Sequence, residues 1–404
     1  MPTTCVSLVL LDFLTELPPE LSLQILSQLD AESLTRAALV SRDWHGFTLD
    51  PLLWRQAFLQ HNGWSSSSPT HRLSTWDDMM AGIRPWRTMY QQRHRLEKRW
   101  TANGPKTVHY LNGHSDSVYC LQFNDDLLVT GSRDRTVKFW DLRDDYRCTR
   151  TLAGHEGSVL CLKYDARHLV TGSSDFSVMV WDMDQPPEAD PPPQGPVMQL
   201  RSHIAGVLDV AMSDQTIVSC SKDCTIKLWN RANGDLLRSI PAHRRPVNAI
   251  QISGHQMVSA SGDGLVNLWD VETGNYIRSF EGHLSGLACV QFKDNRILSG
   301  SNDKTIKMWD PRTSECVSTL TGHQDLVRTL HYAGGQRLVS GSYDQTVKIW
   351  DLAANKCNLS LDNGHSSWVF DVQCDLTRLI SAGQDQKILV WEFAPDLDDT
   401  LLVA

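Results

Sequence analysis

The sequence predicts two unlike parts, a long all-β domain of seven similar units and, ahead of it, a small all-α module with a helical linker. Three observations carry this prediction. A Trp followed by Asp, Asn or Glu recurs seven times between Trp140 and Glu392. Within each period, short runs alternating apolar and polar residues are separated by polar turns, which is how half-buried strands read. Between Thr15 and Leu59, by contrast, apolar residues fall at helical spacing behind Pro and Asp residues suited to helix starts.

Length and composition agree. At roughly 150 residues per domain, a chain of 404 residues suggests two or three domains. With 41% hydrophobic and 21% charged residues, a disordered chain, a collagen and a heptad fibre are excluded. The most apolar run, Val6–Leu14, contains an Asp and falls well short of the about 20 residues a membrane helix needs. No basic segment or small-residue cleavage site accompanies it, so neither a secretion signal nor a membrane anchor is expected. The ten Cys are scattered, without a CxxC pair or zinc-like spacing. Buried, reduced thiols in a cytoplasmic and/or nuclear protein are expected, with no metal and no cofactor. A net charge of −9 argues against nucleic acid as a partner.

After a short tail, residues 1–14, the module over 15–59 reads as three helices. Leu17–Leu29 places Leu21, Ile25, Leu26 and Leu29 on one face, with Pro18 and Pro19 at its start. Asp30 suits the cap of a second helix carrying Leu34, Ala38 and Val40. Asp50-Pro51 opens a third, with Leu53, Trp54 and Phe58. Helices this short bury little surface by themselves, so some of it is expected to meet a partner. The linker, 60–104, holds a Ser-rich break at Trp64–Thr70 and a basic amphipathic helix at Trp86–Trp100, for which a nucleic-acid or nuclear-import role is one reading.

In the repeat region, each Trp is preceded by a His 26 residues earlier (27 in the sixth unit) and by an Asp six residues earlier. That Asp is itself preceded by a Ser or Thr four residues before it. The first unit has His114, Thr130, Asp134 and Trp140; the last has His365, Ser381, Asp385 and Trp391. A His–Asp–Ser set repeated seven times makes no sense as catalysis, whereas a structural network predicts repetition. Successive His residues are 41, 48, 40, 40, 40 and 42 apart, the 48 arising from a Pro-rich insertion at Gln185–Val197 that reads as a solvated loop.

These coupled positions resemble the WD-repeat family over about residues 105–394. The resemblance implies an all-β, seven-bladed WD-repeat β-propeller, each blade four-stranded, with His, Ser/Thr and Trp bonded inside the blade and the Asp securing a tight turn. By repeat position the insertion joins the third and fourth strands of the second blade. Thr107–Leu111 has strand alternation, and the segment after Trp391, ending in the tail 395–404, does not. The early strand is therefore expected to complete the seventh blade and close the ring.

The front module resembles the F-box. Leu17-Pro18, Leu21, Ile25-Leu26, Leu29-Asp30, Leu34, Val40-Ser41, Trp44 and Pro51-x-Leu53-Trp54 follow that motif's order. The resemblance implies docking onto a Skp-family adaptor, and through it a cullin–RING ubiquitin ligase, with Leu17, Pro18, Leu21, Ile25, Leu26 and Leu29 facing the adaptor. Segments like Trp86–Trp100 join F-box and propeller in that family, so a strut is implied that fixes the distance from bound substrate to ubiquitin-loaded enzyme.

Binding in such propellers uses the narrow mouth of the ring. Three positions per blade point there: those flanking the Val (Leu287 in the fifth blade) four residues after each His, and the residue before each Asp. These positions include Arg133, Lys222 and Arg328 and no acid, so a short anionic peptide suits them better than a long polyanion. The chain resembles the beta-transducin-repeat-containing F-box proteins, which recognise an Asp-Ser-Gly peptide phosphorylated on two serines. The resemblance implies that Tyr119, Arg133, Ser158 and Ser174 meet the first phosphate and that Arg328 and Tyr343 meet the Asp. The second-phosphate site departs: Ser285 stands where the family has Arg, beside Gly286, Asn302 offers only an amide, and Trp368 replaces another Arg. Lys222 and Asn248 complete the expected phosphodegron set, with Trp368 and Phe370 as an apolar or cation–π subsite. A non-catalytic, monomeric substrate receptor acting in ubiquitin-dependent degradation is expected. A WD scaffold unconnected to ubiquitylation is the alternative.

Overall fold

The computed structural model describes residues 12–61, 64, 85–183 and 195–402, which fall into two compact units. The run before Asp12, the Ser-rich break after Trp64 and most of the Pro-rich insertion lie outside the described residues. One unit combines the chain up to Arg99 with the segment from Ala394, and the other runs from Trp100 to Phe393.

In the first unit the described residues form α1 (Phe13–Glu16), α2 (Pro19–Leu26), α3 (Ala31–Ala37), α4 (Arg42–Thr48), α5 (Pro51–Gln60) and α6 (Trp86–Lys98). Asp30 and Asp50 cap as expected, each accepting through Oδ1, from the Ser33 and Leu52 amides at 2.8 Å. The expected second helix, however, stops at Ala37, and Val40 lies beyond it, 62% exposed. Ser41 Oγ accepts from the Trp44 amide at 3.2 Å and starts a separate helix there, an N-cap signal hidden inside an apolar run. Asp12 begins α1, accepting from the Leu14 amide at 3.2 Å, and takes the Trp44 indole N–H at 2.7 Å.

The expected single apolar face of α2 divides in two. Leu21 and Ile25, four residues apart, stay 46% and 42% exposed. Leu26 lies about 100° further round the helix and is 1% exposed, packed with Leu14, Leu34, Trp54 and Phe58. It is therefore a core residue of the module, which corrects its expected place on the adaptor face. Leu29 is half-buried against the same core, Leu17 is half-buried, and Pro18 is exposed.

On α6, Met89, Tyr90 and Leu96 are buried. Arg93 is buried as well, ion-paired with Glu97 at 3.1 Å and donating to the Leu402 carbonyl at 3.3 Å. Arg99 binds Asp396 through both terminal nitrogens at 2.6 and 2.9 Å. Part of the helix's basic character is thus neutralised inside its own unit. Among the described residues no helix is long and apolar enough to cross a membrane.

The described residues of the second unit form 28 strands in seven four-stranded antiparallel sheets. The first strand, β1 (Thr107–Leu111), pairs with the last, β28 (Ile388–Glu392), from Thr107↔Glu392 to Leu111↔Ile388. That completes the seventh blade with the strand preceding the first repeat, as the alternation in Thr107–Leu111 predicts. The insertion falls between β8 (Ser177–Asp182) and β9 (Met198–Arg201), third and fourth strands of the second blade. Apolar residues fill the spaces between neighbouring blades: Leu121, Phe123 and Trp140 of the first pack with Ile380, Ile388 and Val390 of the seventh.

Each innermost strand has one backbone edge without a strand partner, and side chains from a neighbouring blade cover it. Gln122 accepts from the Tyr164 amide and donates to its carbonyl, both at 2.9 Å; Gln373 does the same for Phe123 at 2.7 and 3.1 Å. Asp371 accepts from the Leu121 amide and Asp209 from the Ile250 amide, both at 2.9 Å. Burial pushes Asp209 up to about 6 and Asp371 up as well, and brings His331 down to about 3. All three are occupied in joining blades, His331 by accepting from the Cys374 amide at 3.1 Å. The described cysteines are free, and burial pushes the thiols of Cys289 and Cys374 up to about 12. Cys148, Cys316 and Cys357 are exposed, against the expectation of burial, on the outermost strands where one side faces water.

Candidate functional site

In every blade the buried tetrad is assembled as its spacing requires. The His Nδ1 lies 2.7–3.0 Å from its Asp. The His Nε2 lies 2.7–2.9 Å from the Ser or Thr hydroxyl. The Trp indole N–H donates to the same hydroxyl at 2.7–2.9 Å. An ionised Asp fixes the directions: His Nδ1–H donates to it, and Nε2 accepts from the hydroxyl. Burial lowers the imidazoles of His114, His203, His243 and His283, which keeps them neutral. Burial works against ionisation of Asp134 and Asp303, yet hydrogen bonds from Thr136 and His114, and from Thr305 and His283, hold both down to about 2.

The same Asp shapes the loop beside it. In the first blade Asp134 Oδ1 accepts from the Thr136 amide at 2.9 Å, and Arg135 between them takes φ +71°. Phe176, Cys224, Lys304, Gln345 and Gln386 occupy the same left-handed position, and only the fourth blade uses Gly there, Gly264. Non-Gly residues pay a steric cost in that region, here offset by the Asp-to-backbone bonds.

Two devices carry side chains to the mouth. At the start of each innermost strand the ladder has a β-bulge, and the extra residue is Tyr119, Leu160, Leu208, Asn248, Ala288, Arg328 or Phe370. A bulge frees that residue from the ladder and re-aims it. A backbone bond then ties the residue before the Asp to the one before the Val: Arg133 N to Ser117 O at 2.9 Å, Lys222 N to Gly206 O at 3.0 Å, Gln384 N to Trp368 O at 2.9 Å, and likewise in the other four blades. All three positions of every blade therefore meet at one end of the ring.

Tyr119 is half-buried with its ring 4.9 Å from Phe370. Tyr343 stacks on Trp368 at 4.4 Å and 6°, and Phe370 meets both edge-on at 6.0 and 6.4 Å. Phe370 is only 6% exposed, which corrects its expected role as a contact surface: it is the wedge beneath an aromatic platform whose open surface is Trp368, 41% exposed. Arg133 is exposed, 3.7 Å from Asp116, so its charge is partly balanced by an acid one residue outside the expected set. Ser174 Oγ accepts from the Ser158 amide at 2.8 Å, and its hydroxyl hydrogen remains available. Arg328 donates to the Ala288 carbonyl at 3.4 Å, and Asn248 donates to the Leu287 carbonyl at 2.6 Å. Asn302 lies 3.4 Å from Ser285 Oγ, and Gly286 sits against the Gly262 backbone. Sequence reasoning passed over Arg244 and Arg245, both exposed beside the mouth at the two positions following His243; aligning those positions across blades finds them. Among the described residues no group of His, Cys, Asp or Glu is arranged to hold a metal ion.

Comparison with known proteins agrees with this architecture. A model described as F-box-like matches residues 14–60, and one described as WD domain, G-beta repeat matches seven segments from 105–141 to 355–392. The chain is 34% identical over 158 residues to "Probable E3 ubiquitin ligase complex SCF subunit sconB" of Arthroderma otae, covering 33% of this chain and 23% of that one. It is 35% identical over 153 residues to an F-box protein of Saccharomyces cerevisiae, covering 33% and 24%. The match thus spans about a quarter of these relatives' length. Among solved structures, the WD40 β-propeller domain of Doa1 is similar with a TM-score of 0.64 and 23% identity, over 74% of this chain and 100% of that one, a likeness of fold. Repeats matched over more than half of the chain, behind a helical F-box-like module, make this chain a member of the WD-repeat (WD domain, G-beta repeat) family that carries an F-box.

Proposed function

We propose that the chain is the substrate-recognition subunit of an SCF-type cullin–RING ubiquitin ligase, a non-catalytic receptor working in the cytoplasm and/or nucleus. The observation that carries the reading is one chain combining an F-box-like module with an unpartnered apolar stripe, Leu21 and Ile25, and a propeller with a side-chain-built mouth. Its similarity to proteins named as SCF subunits supports the same reading. Leu17, Pro18, Leu21 and Ile25 form the surface offered to a Skp-family adaptor.

At the mouth the reading is a phosphorylated degron. Arg133 supplies a guanidinium, and Tyr119, Ser158 and Ser174 supply hydroxyls, for one phosphoserine. Arg328 and Tyr343 receive an Asp. Where the beta-transducin-repeat-containing F-box proteins hold a second phosphate with arginines, Ser285 and Asn302 offer neutral groups. Losing a guanidinium forfeits roughly 1.5–3 kcal/mol per charge-assisted bond, so a phosphate at that place is weakly read. The Trp368 surface suits an apolar or cationic neighbour.

The test is co-purification of the full chain with a Skp-family adaptor, followed by titration with Asp-phosphoSer-Gly peptides phosphorylated once or twice at the family spacing. Adaptor binding with unequal dependence on the two phosphates is expected. No adaptor binding by the wild type would favour the scaffold alternative, and equal dependence on both phosphates would overturn the one-phosphate degron.

A further inference from the structure

One sector of the mouth face, which shares only Lys222 with the expected degron set, takes no part in the phosphoserine and Asp contacts proposed above. Across the third to fifth blades, Lys222 and Lys304 on the loops between second and third strands, and Arg244 and Arg245 on the loop before the fourth blade's innermost strand, are all exposed. Among the described residues none of the four has an ion-pair partner. Of the acids in those loops, Asp223, Asp263 and Asp303 are engaged by His203, His243 and His283, and Glu281, exposed in the loop before the fifth blade, forms no ion pair with any of the four. Elsewhere on the face Asp116 lies 3.7 Å from Arg133, and the corresponding loops of the second and sixth blades carry acids, Glu156 and Asp325, where the fourth blade has Arg244 and Arg245.

Three of these cations stand on two loops bonded to each other. The Cys224 carbonyl accepts from the amides of Ala242 at 3.2 Å and His243 at 3.4 Å, which ties the loop of Lys222 to the loop of Arg244 and Arg245. Arg245 runs beside Gly262, where an added Cβ would lie 3.6 Å from the Arg245 Cβ. A Cβ on Gly286 would come within 3.0 Å of the Gly262 carbonyl oxygen, so the two backbones touch and no side chain rises between them. The ground next to the cations is bare main chain. Like charges gathered without an acid repel one another, and an anion lying over that floor relieves the repulsion.

We propose that Lys222, Arg244 and Arg245 form an anion subsite for a second acidic group of a bound peptide, a phosphoserine or a carboxylate, whose chain crosses Gly262 and Gly286. The inference rests on reading the mouth as a phosphopeptide receptor, and places the second anion a blade away from the weak Ser285–Asn302 position. Two guanidinium groups favour a phosphate, which they can grip in pairs of bonds, over a carboxylate. Three cations on a chain of net charge −9 suit one acidic group, not a polyanion.

The test uses the full chain and a fluorescent Asp-phosphoSer-Gly peptide, in a series with a second phosphoserine, or a Glu, at successive positions on either side. At one register the second phosphoserine is expected to tighten binding about tenfold, the equivalent of ~1.4 kcal/mol, with Glu gaining less. Arg244→Gln/Arg245→Gln should erase that gain, with an unchanged melting temperature and unchanged affinity for the singly phosphorylated peptide. The subsite is overturned if no register gains, if the gain survives in the double variant, or if a short RNA competes as strongly as the best peptide. In all three cases a singly phosphorylated peptide that still depends on Arg133 leaves the receptor reading intact. Indifference of that peptide to Arg133→Gln would remove the receptor reading itself, and the subsite with it.

Discussion

Leu26 and Ile25 are neighbours on α2 with opposite surroundings, and replacing each separates a folding role from a binding role. Leu26 is 1% exposed among Leu14, Leu34, Trp54 and Phe58. Leu26→Ala removes its packing and leaves a cavity, at a cost of about 2–5 kcal/mol, a large share of what so small a module can have. Leu21 and Ile25 are 46% and 42% exposed, so an adaptor can still bury close to half of each side chain. Full burial of a Leu or Ile contributes roughly 1.5–3 kcal/mol, so each residue has about 1 kcal/mol left to give to a partner. Leu21→Ala/Ile25→Ala should therefore weaken adaptor binding by ~2 kcal/mol, about thirtyfold, while leaving stability within ~0.5 kcal/mol. The assay is calorimetric titration of the full chain with a Skp-family adaptor, alongside unfolding followed by helical circular dichroism. Loss of adaptor binding in Leu26→Ala with unchanged unfolding, or full binding by the double variant, would refute the division of α2 into a core side and a partner side.

Other consequences can be measured directly. Ser340→Ala in the sixth blade strips both His323 Nε2 and the Trp350 indole of their partner, each at 2.7 Å, and should cost about 2–4 kcal/mol in thermal unfolding of the ring. Gly364→Ala would place a Cβ 2.3 Å from the Trp391 ring and should destabilise the seventh blade by at least ~1–3 kcal/mol, a loss that Ala at exposed Gly46, with open space around it, should not reproduce. The melting temperature should fall on acidification in two stages. Imidazoles whose folded pKa is lowered stabilise above about pH 6.5 and lose that contribution as pH drops below it. Asp134 and Asp303, held to about 2, contribute on the order of 1–2 kcal/mol each, present above about pH 4 and lost towards pH 2. A melting temperature constant from pH 7 to 4.5 would contradict buried neutral imidazoles. Trp368→Arg restores a guanidinium at the mouth and should raise affinity for the doubly phosphorylated, family-spaced peptide about tenfold, which peptide titration would detect.

What could be read from the sequence was whatever repeats. The tetrad is legible because four coupled residues recur at fixed spacing, and the closing strand because Thr107–Leu111 alternates ahead of the first repeat. The helices of the front module were less legible: a continuous apolar run across Leu34–Val40 hid the stop at Ala37 and the Ser41 cap. On α2, helical spacing alone grouped Leu26 with Ile25, since nothing local tells which side of a short helix its own module will cover. At the mouth, the positions followed from the repeat but their states did not. That Phe370 is a buried wedge, that Tyr343 spends its ring face on Trp368, and that Asp116 stands by Arg133 all depend on contacts between residues distant in the chain or outside the repeat pattern.

The pairing of β1 with β28 also sets a schedule. Thr107 leaves the ribosome some 285 residues before its partner Glu392, which at ~5–20 residues per second is a wait of roughly 14–57 s. During that time six blades can form in succession, each from its own consecutive strands, while β1 has no sheet to join. The nascent chain therefore carries an unmatched strand until β28 has been made, and the seventh blade joins the first strand of the ring to its last. Chaperone engagement of this protein should concentrate on that interval and end when Ile388–Glu392 emerges.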